Sequence, residues 1–386
     1  MLKNYLSPLS DKLCSPPIDF NINQWGSRLM LHTQNAFPDL TSTRLAIVGV
    51  CEDRSEEGGC QLSPDAIRKH LYPLYFWTDG VQICDLGNIV AGETPQDTYF
   101  ALQSVLKVLM EQEIVPIILG GTCDLTYGQF LAHTTTEPET HFVFADEKIA
   151  LFNHANDYSL ENRSFLYQII THKQSLSHFA QIGYLRSLVD PYILETLENL
   201  NFDCYSLGEI RKYMSDLEPI LRDANMFAIN LSCLRAADAP AVAHTSSHGF
   251  GAEEACQMTR YAGLSDHIRS MGFYEYNPLL DLNGYTAQSI AQMIWYFVEG
   301  FYERKHDFPD LDERSYIPYI VSMKDEDHEL VFLKSRKSDR WWLKVPLSGK
   351  RKPNYILVPC SYRDYEIACR NEIPDRWLKA YWRATQ

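Results

Sequence analysis

The sequence has no apolar run approaching the roughly 18 residues that a membrane-spanning helix requires, so insertion into a bilayer is not expected. Its opening stretch, MLKNYLSPLSDKLCSPPIDF, has no apolar signal-peptide core, and a cytoplasmic location is expected. No Cys-x-x-Cys pair occurs. The 10 cysteines are scattered, several of them inside apolar runs such as VGVCED, VQICDL and FDCYSL. That pattern reads as small buried thiols in a reducing compartment and excludes a disulfide framework or a zinc ribbon. There is no Walker loop, no dinucleotide fingerprint, no internal repeat and no low-complexity segment. Positive charge is also short. Lys and Arg number 35 against 50 Asp and Glu, a net charge of -15, which argues against a sequence-independent nucleic-acid binder.

What remains is an ordinary globular composition: 386 residues, 45% hydrophobic and 22% charged. Residues 1–40 are broken by Pro8, Pro16, Pro17 and Pro38 and read as an irregular segment. From Arg44 the chain alternates apolar, β-branched runs with helical patterns. Arg44–Cys51 and Val81–Leu86 read as strands. Pro64 opens a helix, and Thr94 opens another that runs to about Gln112. His141–Asp146, Phe179–Gly183, Phe202–Leu207, Met226–Ser232 and Gly272–Asn277 continue the strand series, with helices between them. Thr286 is expected to cap a long apolar helix that reaches about Tyr302. This rhythm predicts a parallel, doubly wound α/β sheet over residues 41–305. After about residue 310 the helices drop out. IPYIVSM, ELVFLKS, WWLKVPL and NYILVPC read as short strands of a β-rich appendage, with a short helix near Pro374 to Trp382. Its basic residues, among them Lys334, Arg336, Lys337, Arg340 and Lys350, read as solvated surface.

The stretch Glu113–Phe130, EIVPIILGGTCDLTYGQF, organises the rest. An apolar run ends on Gly120-Gly121 and a helix-permissive segment follows, as in a buried parallel strand opening into a loop. In open α/β sheets ligands bind outside the carboxyl ends of the strands, which puts Thr122, Cys123 and Asp124 where a site would stand. An ordinary strand–turn–helix corner is the plainer alternative. Cys123 is a candidate nucleophile, because a place before a helix lowers a thiol pKa. His244-x-x-x-His248 has metal-like spacing, but in a polar loop. The polar loop Asn153-His154-Ala155-Asn156-Asp157 has no recognised mechanism.

Gly120-Gly121-Thr122-Cys123-Asp124-Leu125-Thr126-Tyr127-Gly128 resembles the Gly-Gly-Asp-His-Ser-Leu-Thr-Tyr-Gly segment of the ureohydrolases, the arginase, agmatinase and formimidoylglutamase family. Ser63-Pro64-Asp65-Ala66-Ile67-Arg68 is similar to that family's Gly-Pro-x-x-Ile-Arg element. Glu275-Tyr276-Asn277-Pro278, with Asp281 and Thr286-Ala287, is similar to its late Glu-x-Asn-Pro…Asp…Thr-Ala element. The resemblance implies a three-layer α/β/α sandwich around a parallel sheet of about eight strands. The appendage from about 310 lies outside it. It also implies two Mn²⁺ ions sharing a hydroxide that attacks a guanidinium or formimino carbon.

The ligand positions implied by the resemblance are largely lost. The family's first His aligns with Cys123. Its Asp-Ala-His-x-Asp aligns with Asp146-Glu147-Lys148-Ile149-Ala150, and its Asp-x-Asp with Asn230-Leu231-Ser232. Only Asp146 keeps a ligand type, while Glu275 aligns with the guanidinium-binding Glu. The expectation is therefore an arginase-like pseudoenzyme with no metal, no cofactor and no catalytic residue. Cys123, Asp124, Asp146, Lys148, Asn230, Ser232 and Glu275 would form a relic pocket at one sheet edge. The Lys148 ammonium is expected to reach Asp146, Glu275 or a nearby carbonyl in place of a metal. A protein partner is expected, met through the appendage, and self-association is left open. The alternatives are an active C–N hydrolase with a rearranged manganese site, or an amidino-transferring enzyme using Cys123.

Overall fold

A computed structural model describes residues 2–14, 20–54, 58–76, 82–151, 164–172, 175–309, 315–323, 329–347 and 355–385. The Asn153–Asp157 loop and the basic residues Lys350, Arg351 and Lys352 lie outside these. Among the described residues no helix is long and apolar enough to cross a membrane.

The strands are β1 (Met30–Leu31), β2 (Leu45–Cys51), β3 (Ile83–Val90), β4 (Val115–Leu119), β5 (Thr140–Ala145), β6 (Leu176–Tyr184), β7 (Asp203–Ser206), β8 (Met226–Asn230) and β9 (Ser270–Tyr274). They form a nine-stranded sheet in the order β1-β3-β2-β4-β9-β8-β5-β6-β7, parallel at every pairing. The expected eight strands become nine because Met30–Leu31, in the stretch read as irregular, pairs with the outer side of β3. That stretch also holds two four-residue helices, α1 (Asp11–Cys14) and α2 (Trp25–Arg28).

The helices between strands are α3 (Ser63–Leu71), α4 (Pro95–Glu111), α5 (Leu125–Thr136), α6 (Phe165–Thr171), α7 (Pro191–Asn199), α8 (Leu207–Lys212), α9 (Leu217–Asp223), α10 (Ala252–Leu264) and α11 (Tyr285–Tyr302). Strand side chains alternate between the two faces of the sheet. Ile47, Ile117, Val143, Ile229 and Phe273 enter one core with α3, α10 and α11. Val48, Ile118, Phe144, Ala228 and Tyr274 enter the other with α4, α5 and α6. The result is the expected α/β/α sandwich. Buried Arg68 of α3 ties a helix to the sheet, donating from Nε and Nη2 to Asp85 at 2.8 Å each. Thr286 is not the cap of α11. Gly284 holds that position in a left-handed conformation, and Thr286 Oγ1 accepts instead from Ala241 N at 3.0 Å.

The appendage is a four-stranded antiparallel sheet of β10 (Tyr316–Ser322), β11 (Glu329–Ser335), β12 (Trp341–Pro346) and β13 (Tyr355–Cys360). Two helices follow, α12 (Tyr362–Cys369) and α13 (Asp375–Thr385). Leu330, Phe332, Trp341, Leu343 and Val345 form its own small core. It is nevertheless pinned to the main body. Buried Arg222 of α9 donates to the carbonyls of Trp341 and Cys360 and lies over the Trp342 ring, 4.4 Å from its centroid. Arg340 reaches back to Glu218 at 3.1 Å.

Candidate functional site

Four contiguous strands, β4, β9, β8 and β5, end level. Leu119 pairs with Phe273, Phe273 with Ile229, and Ile229 with Ala145. The residues just beyond them therefore meet at one carboxyl edge. Gly120 and Gly121 make this approach possible. Both have positive φ, 86° and 78°, a conformation in which glycine carries no Cβ penalty. Gly120 N then donates to Phe273 O at 2.9 Å, and Gly121 O accepts from Glu275 N at 3.0 Å. Glu275 itself has φ 70°. A non-glycine residue there stores backbone strain, as happens where surrounding contacts over-determine a position.

Two carboxylate groups of partners organise the edge. Glu275 Oε1 accepts from Cys123 N at 2.7 Å, at the start of the turn into α5. Its carboxylate thus sits at a helix N-terminus, a favourable place for negative charge. Burial nonetheless pushes its pKa up to about 8, and the carboxylates of Asp124, Asp146 and Asp53 add to the push. Across the edge, Asp146 is buried and fully engaged. It accepts from Ser232 Oγ at 2.6 Å, Asn230 Nδ2 at 3.1 Å and Lys148 N at 3.3 Å. Burial raises its pKa to about 6 against those three donors. Asn230 Oδ1 also accepts from Ser232 N at 3.0 Å, fixing the turn that presents the hydroxyl. Asp124 is buried, with its pKa raised by desolvation, and accepts from the Tyr99 hydroxyl of α4.

Cys123, Asp124, Asp146, Asn230, Ser232 and Glu275 therefore lie together at this edge. Lys148 does not behave as expected. Its ammonium is half exposed and pairs with Glu147 Oε1 at 3.4 Å, and only its backbone N–H reaches Asp146. The reason is local. Once the N–H of Lys148 turns in to Asp146, Gln181 holds the chain by donating to the carbonyls of Asp146 and Lys148, and the side chain is left facing solvent. The expected low thiol pKa of Cys123 also fails. Burial, and then the negative charges of Asp146 and Glu275, push it well above the ordinary value, outweighing the place before a helix. His244 and His248 are exposed.

Sequence reasoning missed several neighbours. Glu147 is buried, with Oε2 lacking a hydrogen-bond partner. Glu52, just past β2, accepts from Thr98 Oγ1 at 2.6 Å and from Arg54 Nε at 2.8 Å. Asp53 accepts from Cys60 N at 2.7 Å. The place of Glu52 and Asp53 after a strand was a usable signal. Nothing in the helical pattern marked Tyr99.

Two divalent ions would need several oxygen and nitrogen donors free to bind them. The expected ligand positions hold a thiol with a raised pKa, an outward ammonium, a methyl group, an amide, a hydroxyl and one carboxylate whose oxygens already accept three hydrogen bonds. Among the described residues no three His, Cys, Asp or Glu side chains are grouped so as to hold a metal ion. This donor set does not fit a metal pair.

The sequence pattern of the arginase family matches residues 43–299. Among curated proteins, the formimidoylglutamase of Lysinibacillus sphaericus is 25% identical over 278 residues, covering 65% of this chain and 82% of that protein. The formimidoylglutamase of Staphylococcus aureus strain bovine RF122 is 25% identical over 292 residues, 68% of this chain and 90% of that protein. Among solved structures, Trypanosoma cruzi formiminoglutamase with Mn²⁺ superposes with a TM-score of 0.66 at 19% identity, covering 74% of this chain and all of that one. The formimidoylglutamase of Bacillus subtilis gives 0.66 at 15% identity, covering 75% of this chain and 96% of that one. At such identities the structural likeness speaks to fold alone.

Proposed function

Because the chain belongs to the arginase family, we propose that it is a formimidoylglutamase-like member in which a hydrogen-bonded carboxylate cluster stands where a metal pair would, and that it works by binding, as a subunit of a protein complex. The observation that carries this reading is the saturation of Asp146 by Ser232, Asn230 and the Lys148 N–H. Three protein donors hold this carboxylate where a cation would otherwise be its partner. The partner in this reading is a protein, met through the appendage.

The second reading is an active C–N hydrolase of the formimidoylglutamase type with a rearranged manganese site. The relatives favour it, since those described above carry that name. The gathering of Asp53, Asp124 and Asp146 within electrostatic reach of Glu275 is also compatible with it. The side chains at the ligand positions favour the first. Lowering the pKa of water from 15.7 to about 7 requires a bound metal ion, and one engaged carboxylate is a poor holder for two.

Two measurements separate the readings. One is metal content of the purified protein after incubation with Mn²⁺. The other is release of urea from arginine and agmatine and of formamide from formimidoylglutamate, with Asp146→Ala as control. The binding reading expects metal well below one ion per chain and release at background. Stoichiometric manganese together with turnover that Asp146→Ala abolishes would establish the hydrolase instead.

A further inference from the structure

A second cluster of titratable side chains lies at the opposite, amino end of the sheet. His141 of β5 and His178 of β6 are register partners, with ring centroids 6.1 Å apart. His141 Nδ1 lies 3.3 Å from Asp223 at the end of α9. His178 Nε2 lies 3.0 Å from Asp203 Oδ2 at the start of β7. Helix α13 closes over this pair from the appendage. Lys379 Nζ meets Asp203 Oδ1 at 2.6 Å, and Arg383 Nη1 stands against the His178 ring, 2.9 Å from Nδ1, 3.2 Å from Nε2 and 3.5 Å from Asp203 Oδ2. Arg376, on the same helix, turns to Asp364 of α12 at 3.6 Å. These groups line a cavity of about 20 Å³, room for one water molecule.

The two ring nitrogens of His178 have opposite duties. A carboxylate at Asp203 only accepts, so Nε2 must carry the hydrogen. A guanidinium only donates, and Arg383 Nη1 is within reach of both ring nitrogens, so the nitrogen left unprotonated, Nδ1, is the one that can accept from it. One tautomer of the neutral ring meets both demands. A protonated ring carries N–H at both nitrogens, and its Nδ1–H then faces the donor of Arg383.

We propose that the contact between α13 and the sheet is a proton-gated latch, closed while His178 is neutral and released when it is protonated. The surrounding charges agree in sign. Burial holds the pKa of His178 below the ordinary histidine value. The Asp203 hydrogen bond opposes this, while Arg383 and His141 add to the depression. Release removes Arg383 and admits water, so the open form binds more protons below about pH 6.5. The closed form therefore loses stability as pH falls through that range. Burial lowers the pKa of His141, but Asp223 and its hydrogen bond outweigh burial and Arg383 and hold it above the ordinary value, so His141 takes up its proton with the latch closed and does not drive release. His267 acts on Asp223 from behind. Asp203 is held far below the carboxylate range and stays charged throughout the window.

Hydrogen–deuterium exchange on the full chain, corrected for the intrinsic pH dependence of exchange, reads the latch directly. Between about pH 7.5 and about pH 5.5 the protection of α13 is expected to fall about tenfold, while that of α3 holds. In His178→Gln the amide can donate to Asp203 and accept from Arg383 but cannot titrate, so the fall should vanish. Arg383→Met should leave α13 weakly protected at both values. Unchanged α13 protection in the wild type, or a full fall in His178→Gln, would overturn the latch.

Discussion

Asp146 and Glu275 are both buried acids with raised pKa values, yet they differ in support. Asp146 has three donors, while Glu275 has one backbone N–H and three carboxylate neighbours. The stability consequence follows from the direction of the shift. An acid whose folded pKa is raised contributes stability that is fully present below its unfolded value, about 4.5 for Glu, and lost as pH rises through about 8. Glu275→Gln keeps an oxygen for the Cys123 N–H and cannot ionise. Its unfolding free energy should decline less between about pH 5 and about pH 8 than that of the wild type. Urea titrations at each pH measure the two slopes, and equal slopes would contradict the assignment. Lys148 takes no part in this balance. Its pair with Glu147 is of the half-exposed kind, worth roughly 0–1 kcal/mol.

At the scale of elements, the turn after β4 decides whether the four strand ends can meet. Gly120 has φ 86°, and a Cβ there would lie 1.8 Å from Ser63 Oγ and 3.0 Å from the Pro64 ring. Both neighbours belong to the first turn of α3, which is itself locked to β3 by Arg68 and Asp85. Gly120→Ala is therefore expected to cost about 1–3 kcal/mol from backbone strain, with the clash in addition. A lowered urea midpoint with unchanged slope would record it. A neutral result would mean that the loop adapts, and the strand ends would not be over-determined.

For the whole molecule, the question is whether main body and appendage behave as one. The appendage has a separate apolar core, and polar contacts help tie it to the main body. Arg222 is central among them, since its removal leaves the buried carbonyls of Trp341 and Cys360 without that donor. Arg222→Met should cost about 1–3 kcal/mol, the range for leaving buried acceptors without a donor, since Glu218 keeps its pair with Arg340. It should also split the melting curve. Of the 7 tryptophans, Trp341, Trp342, Trp377 and Trp382 lie in the appendage, so fluorescence should move before far-UV circular dichroism in the variant and with it in the wild type. Coincident transitions in the variant would show that Arg222 is no pin.

Much of this molecule was legible in the chain. Continuous apolar runs, separated by helical patterns, dictate a parallel sheet covered on both faces, and the missing helices after residue 310 mark the antiparallel appendage. The motifs around Gly120, Pro64 and Glu275 pointed to the family that the match over residues 43–299 shows, and Lys148, Ala150, Asn230 and Ser232 stand where the resemblance puts metal ligands. These are properties of local spacing and residue type, which sequence carries. The tertiary structure alone decided who pairs with whom. It turned Lys148 to Glu147, joined Asp53 to the edge of Glu275, and laid Arg383 on His178, 205 positions away. Such partners depend on strand order and on how a helix returns across the sheet. No local periodicity encodes either.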